Sequence, residues 1–109
     1  MIKLVPNPTF EQTVKLTVPD LIEPVEVVMQ FKYMTAAQSA EWFKASSDKA
    51  IDIALAEIVI GWHGVMDDQG KEAPFTKEAL QQLLLAYQPA SLEIVRAWQQ
   101  GLTESRVKN

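Results

Sequence analysis

Apolar and polar positions alternate along the first third of the chain and change period after it. Between Phe10 and Val18, the residues Phe10, Val14, Leu16 and Val18 lean one way and Gln12 interrupts them. A period of two with Thr and Val in the run predicts a β-strand. Pro19-Asp20 then marks a turn, because proline has no N–H to offer a ladder. From Val25 to Met34 the alternation is complete. Val25, Val27, Met29, Phe31 and Tyr33 share one face, and Glu26, Val28, Gln30, Lys32 and Met34 share the other. Such a strand packs on one side and is mostly wet on the other. Residues 2 to 5 are predicted to add a short edge strand, stopped by Pro6 and Pro8.

At Thr35 the period becomes helical. Thr35 and Gln38 have the spacing of a capping box and open a helix that carries Trp42 and Phe43 on its face and frays at Ser46-Ser47. A second helix is expected from Ser47 or Asp48 to about Ile60, since Ile51, Ala54, Leu55, Ile58, Val59 and Trp62 recur at i, i+3, i+4, i+7 spacing. Ile53 and Ile60 add apolar bulk on its flanks, and only Asp52 and Glu57 look clearly wet. The segment Glu57 to Val65 also suits a buried strand, and that alternative stands beside the helix. Asp67-Asp68-Gln69-Gly70 predicts a type I turn with glycine at positive φ, joining Val65-Met66 to Lys71–Ala73 as a hairpin. Thr76 caps a third helix with Glu78 in its first turn and a stripe of Leu80, Leu83, Leu84 and Tyr87. Pro89 stops it and opens a last helix faced by Leu92, Val95, Trp98 and Leu102, helped by Ile94 and weakened near its end by Gly101. The expected fold class is α+β, in one domain over residues 1–109. A small N-terminal antiparallel β-sheet or hairpin (1–34) precedes about four α-helices (35–109), with a short turn or hairpin at 61–75.

Composition narrows the chemistry. At 109 residues and 48% hydrophobic content the chain can build one core without a metal or a disulfide. There is no cysteine, which removes thiolate nucleophiles and Cys-based zinc sites. No apolar run approaches the roughly 20 residues that a membrane helix needs, and no cationic stretch leads into an apolar one at the start, so a cytoplasmic protein without membrane contact is expected. A net charge of −4 argues against nucleic-acid binding, which rests on clustered Lys and Arg. The one local basic excess is Arg106-Val107-Lys108.

Candidate catalytic groups are few. His63 is the only histidine, and Asp67 and Asp68 lie near it, but no serine or cysteine accompanies them in a nucleophile–base arrangement. Asp67, Asp68, Gly70 and Glu72 suggest a calcium loop. Placing Gly70 sixth, however, puts Val65 first and Thr76 last, where acidic ligands belong. Asp48 and Asp52 lie one helical turn apart, the ordinary spacing of a wet face. Phosphate-cradling glycine loops are missing as well, so no enzyme activity, cofactor or metal is expected. Apolar surface remains. The three tryptophans Trp42, Trp62 and Trp98 belong to a residue type enriched at binding hot spots, and Met29, Met34 and Met66 could supply adaptable apolar contacts. Filling the core is nevertheless the expected use of each, with Trp62 the best candidate for partial exposure.

The stretch Gly61 to Thr76 carries the strongest signature. Trp62, Gly64, Asp67 and Gly70 form a Trp-x-Gly-x-x-Asp-x-x-Gly element, and Pro74-Phe75-Thr76 and a Leu-rich helix follow. This resembles the centre of the tail assembly chaperones of long-tailed bacteriophages, best over residues 54 to 100. The resemblance implies a non-enzymatic protein of the host bacterial cytoplasm that binds the long, largely helical tape measure protein and keeps it soluble. It further implies help in recruiting tail tube protein, and absence from the mature virion. The broad apolar face is then the expected docking surface, formed by Trp42, Phe43, Ile51, Leu55, Ile58, Val59 and Trp62. Gly61, Gly64, Asp67, Gly70 and Pro74 would build a structural turn. A homo-oligomer is reasonable for so wide an apolar helix. The rival reading is a structural tail or head–tail connector subunit retained in the virion.

Overall fold

The computed structural model describes residues 1–104, so the basic tail Arg106-Val107-Lys108 lies outside the described residues. Its elements are β1 (Thr9–Leu16), β2 (Val25–Lys32), α1 (Ala36–Ser46), α2 (Ile51–Ala56), β3 (Val59–His63), α3 (Lys77–Ala86) and α4 (Ala90–Thr103). The three strands form one antiparallel sheet in the order β1-β2-β3. The α+β class and the four helices agree with the sequence pattern.

Alternation sets the sheet's two faces. Val14 pairs with Val27 and Phe10 with Phe31, so the apolar rows of β1 and β2 lie side by side. Val14, Leu16, Val27, Met29 and Phe31 are buried, while Glu11, Thr13, Lys15, Glu26, Gln30 and Lys32 line the opposite, solvent-facing side. The helices cover the inner face and complete a single apolar cluster with Leu55, Ile58, Leu80, Ile94 and Trp98 among its members.

Three expectations need correction. The second helix does not run to Ile60: it ends at Ala56, and Val59–His63 joins the sheet as its third strand. The buried-strand alternative for this segment is the one realised. The register explains why a helix looked right, because Phe31 faces Val59 while Gln30 faces Gly61, which leaves Ile60 as the extra residue of a bulge. Val59 and Trp62 therefore both point inward although three residues apart, a spacing that imitates an i, i+3 helical stripe. Residues 2 to 5 do not form an edge strand. The β1–β2 ladder closes with Tyr33 N–H donating to the Pro8 carbonyl, and the chain then turns into α1, so no strand lies opposite them. Finally, α4 buries Ala90, Ile94, Ala97 and Trp98 rather than Leu92, which is 53% exposed.

The last shift has a steric cause. Helix α4 packs along β1, and a Cβ at Gly101 would overlap the Phe10 ring and lie 3.1 Å from the Gln12 Oε1. Gly101 is thus a point of close approach, not merely a weak last turn. Small residues at 90, 97 and 101 let this face settle deeply onto the sheet, and the bulkier Leu92 is left outside. The first turn of α4 is held by Glu93, whose carboxylate accepts from Thr17 N–H (3.0 Å) and Thr17 Oγ1–H (2.6 Å).

Candidate partner-binding surface

Burial divides the docking residues expected from the sequence. Trp42 (7% exposed) and Trp62 (6%) are core, and Leu55, Ile58 and Val59 are sealed completely or nearly so. The surface retains Phe43 and Ile51 from that set, at 37% and 49% exposure. Ile53 (58%) and the bulge residue Ile60 (42%) join them. Sequence reasoning had placed these two on the flanks of a long helix. Because α2 is only six residues long and turns Ala54, Leu55 and in part Ala56 to the core, its two isoleucines, Ile51 and Ile53, face solvent. Further exposed apolar side chains include Leu21 and Ile22 in the β1–β2 loop and Leu85 on α3.

The tryptophans fix this surface from below. Trp42 Nε1–H donates to the Ala54 carbonyl at 3.2 Å and pins α1 to α2. Trp98 Nε1–H donates to the Lys32 carbonyl at 3.0 Å and ties α4 to the end of β2. The two rings meet edge-on with centroids 5.1 Å apart, and Phe43 stacks at 5.0 Å from Trp42 and 6.0 Å from Trp98. Phe43 is therefore the outer layer of an aromatic stack whose lower rings are buried.

The Trp62 element is a brace for the same core. Trp62 Nε1–H donates to the Ala73 carbonyl at 2.9 Å, and Phe75 meets the indole edge-on at 5.0 Å. Between them runs the hairpin that the sequence suggests. Met66 bridges Glu72, Ala73 N–H reaches Val65, and Asp67 and Lys71 are joined through Asp67 N–H. Gly70 N–H donates to the Asp67 carbonyl, as in a type I turn, and Gly70 follows at φ 75°. Asp67 Oδ1 accepts from Gln69 N–H and Lys71 N–H, both at 2.9 Å. Gly64, at φ 94°, turns the chain out of β3, and exposed Pro74 leads from the hairpin towards the Thr76 cap. Gly61 is not part of the turn: it sits inside β3 opposite Gln30, whose Oε1 would lie 3.2 Å from a Cβ there.

The polar groups near this brace serve structure. His63 is exposed, and its Nδ1 lies 3.6 Å from Glu72 Oε1, which also accepts from Gly64 N–H at 3.2 Å. Its acidic neighbour is Glu72, whereas the Asp67 carboxylate is spent on its own turn. Among the described residues no polar or charged side chain is buried, and no three His, Asp or Glu side chains converge as metal ligands. What remains at this surface is the exposed apolar side chains of Phe43, Ile51, Ile53 and Ile60, with Phe43 seated on the buried tryptophans. The sequence model of the phage tail assembly chaperone family matches residues 1–109. No curated protein and no solved structure matches the chain. The family match takes in the sheet and α1 as well as the Trp62 hairpin, so the likeness is not confined to one motif, and the chain belongs to the phage tail assembly chaperone family.

Proposed function

We propose that this chain binds the tape measure protein in the cytoplasm of the host bacterium, keeps it soluble, and helps recruit tail tube subunits, without entering the finished virion. The observation that carries this reading is the family match along all 109 residues. Physical chemistry supports it. A long helical partner with exposed apolar stripes needs apolar contacts to cover it, and helix-in-surface docking uses anchors at helical spacing. Phe43, Ile51 and Ile53 offer such contacts, in place of the buried residues that the sequence pattern had favoured. The net charge of −4 opposes precipitation of the complex. No catalytic step is part of this role.

Co-expression with the matching tape measure protein tests the proposal. The chain is expected to raise the soluble fraction of that protein, and an unchanged fraction overturns the reading. Mass spectrometry of purified virions is expected to find the chain missing. Its presence in stoichiometric amount would make it a tail or connector subunit instead.

A further inference from the structure

The segment Met1–Val5 is an arm of apolar residues with nothing of its own chain to lie against. Met1, Ile2, Leu4 and Val5 are between 79% and 131% exposed. Pro6 and Pro8 follow, each with φ locked and no N–H, so neither can donate to a ladder. The ladder ends behind them, at Pro8 and Tyr33.

At the far side of the sheet, β3 is an edge strand. Among the described residues, its backbone makes hydrogen bonds to β2 and to no other element. Exposed sheet edges are ordinarily guarded by Lys, Glu or Pro. The other edge, β1, carries Glu11 and Lys15 and is packed by α4. By contrast, β3 reads Val-Ile-Gly-Trp-His, without a formal charge or a proline, and projects Ile60 into solvent. Residues 2 to 5 span about 13 Å when extended, enough to lie along most of the five-residue β3.

We infer that the arm of one copy of this chain adds as a fourth strand to the β3 edge of a second copy. Residues 2 to 5 supply the N–H and C=O groups, and Pro6 ends the pairing because it cannot donate. Alternation puts Ile2 and Leu4 on one face, extending the inner apolar row of Val59 and Trp62, and leaves Lys3 on the wet outer face. A second copy is the fitting donor because within one chain β2 lies between β1 and β3, and the arm's side chains are seen free of both edges. This association stands or falls independently of tape measure binding.

The absence of cysteine makes the test direct. Sedimentation over a concentration series is expected to show the full chain above its 12.2 kDa monomer mass, and the variant lacking residues 2 to 5 at its own, slightly smaller monomer mass. Two single variants, Lys3→Cys and Ile60→Cys, both on the outer face of the proposed pairing, are expected to form a mixed disulfide when combined under mild oxidation. The yield should exceed several-fold that of Lys3→Cys with Glu11→Cys on the opposite edge. Both Lys3 and Ile60 are exposed, so neither change removes core volume. A full chain that stays monomeric overturns the inference, and so does self-association that survives removal of the arm. Preferential cross-linking to Glu11→Cys, or a residue 3 to residue 60 cross-link closing within one chain carrying both cysteines, overturns it equally.

Discussion

Trp62 shows how one side chain can look like a docking residue and act as a joint. Its indole is almost fully buried, it donates to the Ala73 carbonyl, and Phe75 covers its edge. Trp62→Ala is therefore expected to destabilise the fold by about 3–5 kcal/mol, read from a denaturant midpoint, since it leaves a cavity and an unpaired carbonyl. A change under about 1 kcal/mol would mean that the brace is not part of the core. Gly101 makes a second, opposite demand. Gly101→Ala adds only a methyl group and improves helix propensity, yet that methyl would overlap the Phe10 ring. Overpacking should win, with a loss of about 1–3 kcal/mol in chemical denaturation, and Phe10→Leu in the same chain should recover part of it. Neither role could be read locally: a tryptophan after a glycine and a glycine near a helix end have the same sequence appearance whether exposed or packed.

Among the elements, legibility followed the locality of the forces. The α1 capping box could be read because Thr35 and Gln38 satisfy each other within four residues, Thr35 N–H to Gln38 Oε1 at 3.0 Å and Gln38 N–H to Thr35 Oγ1 at 3.2 Å. Thr35→Ala should cost about 1 kcal/mol in thermal or denaturant unfolding. The Asp67–Gly70 turn was equally legible, being held by its own backbone and by the Asp67 carboxylate. Gly70→Ala meets no neighbour but must take φ near 75°, so a loss of about 1 kcal/mol is expected from backbone strain alone, again read from the denaturant midpoint. β3 was ambiguous because its inward residues are spaced by a bulge that exists only when β2 is beside it. Residues 2 to 5 failed for the related reason that a strand needs a partner, and no strand of the sheet pairs with them.

For the molecule as a whole, the corrected surface changes which substitutions should disturb function. Ile51→Ser together with Ile53→Ser removes exposed apolar area from α2 and leaves Ala54 and Leu55 in place. Such surface changes usually move stability by less than about 0.5 kcal/mol. The double variant is thus expected to keep its melting temperature while solubilising less tape measure protein in co-expression. Leu55→Ala should show the converse dependence: a loss of about 2–5 kcal/mol, with capture falling only as far as the folded fraction falls. If the Ile51/Ile53 variant captures its partner fully, docking lies elsewhere, and the Leu21-Ile22 loop and Leu85 are the next apolar side chains to replace.

From its residues alone the chain determined its class, its caps, its acidic hairpin and its likeness to a family, because alternation, capping pairs and turn chemistry act over a few neighbours. Tertiary structure decided where helix gave way to strand after Ala56, which of the tryptophans and isoleucines reach solvent, and why Gly101 is glycine. Those outcomes depend on β2 offering an edge, on α2 being too short to bury all its apolar side chains, and on α4 approaching β1 closely. Burial is a property of the neighbours a residue acquires across the fold, and a hydrophobic pattern names the residues that seek cover without saying which will find it.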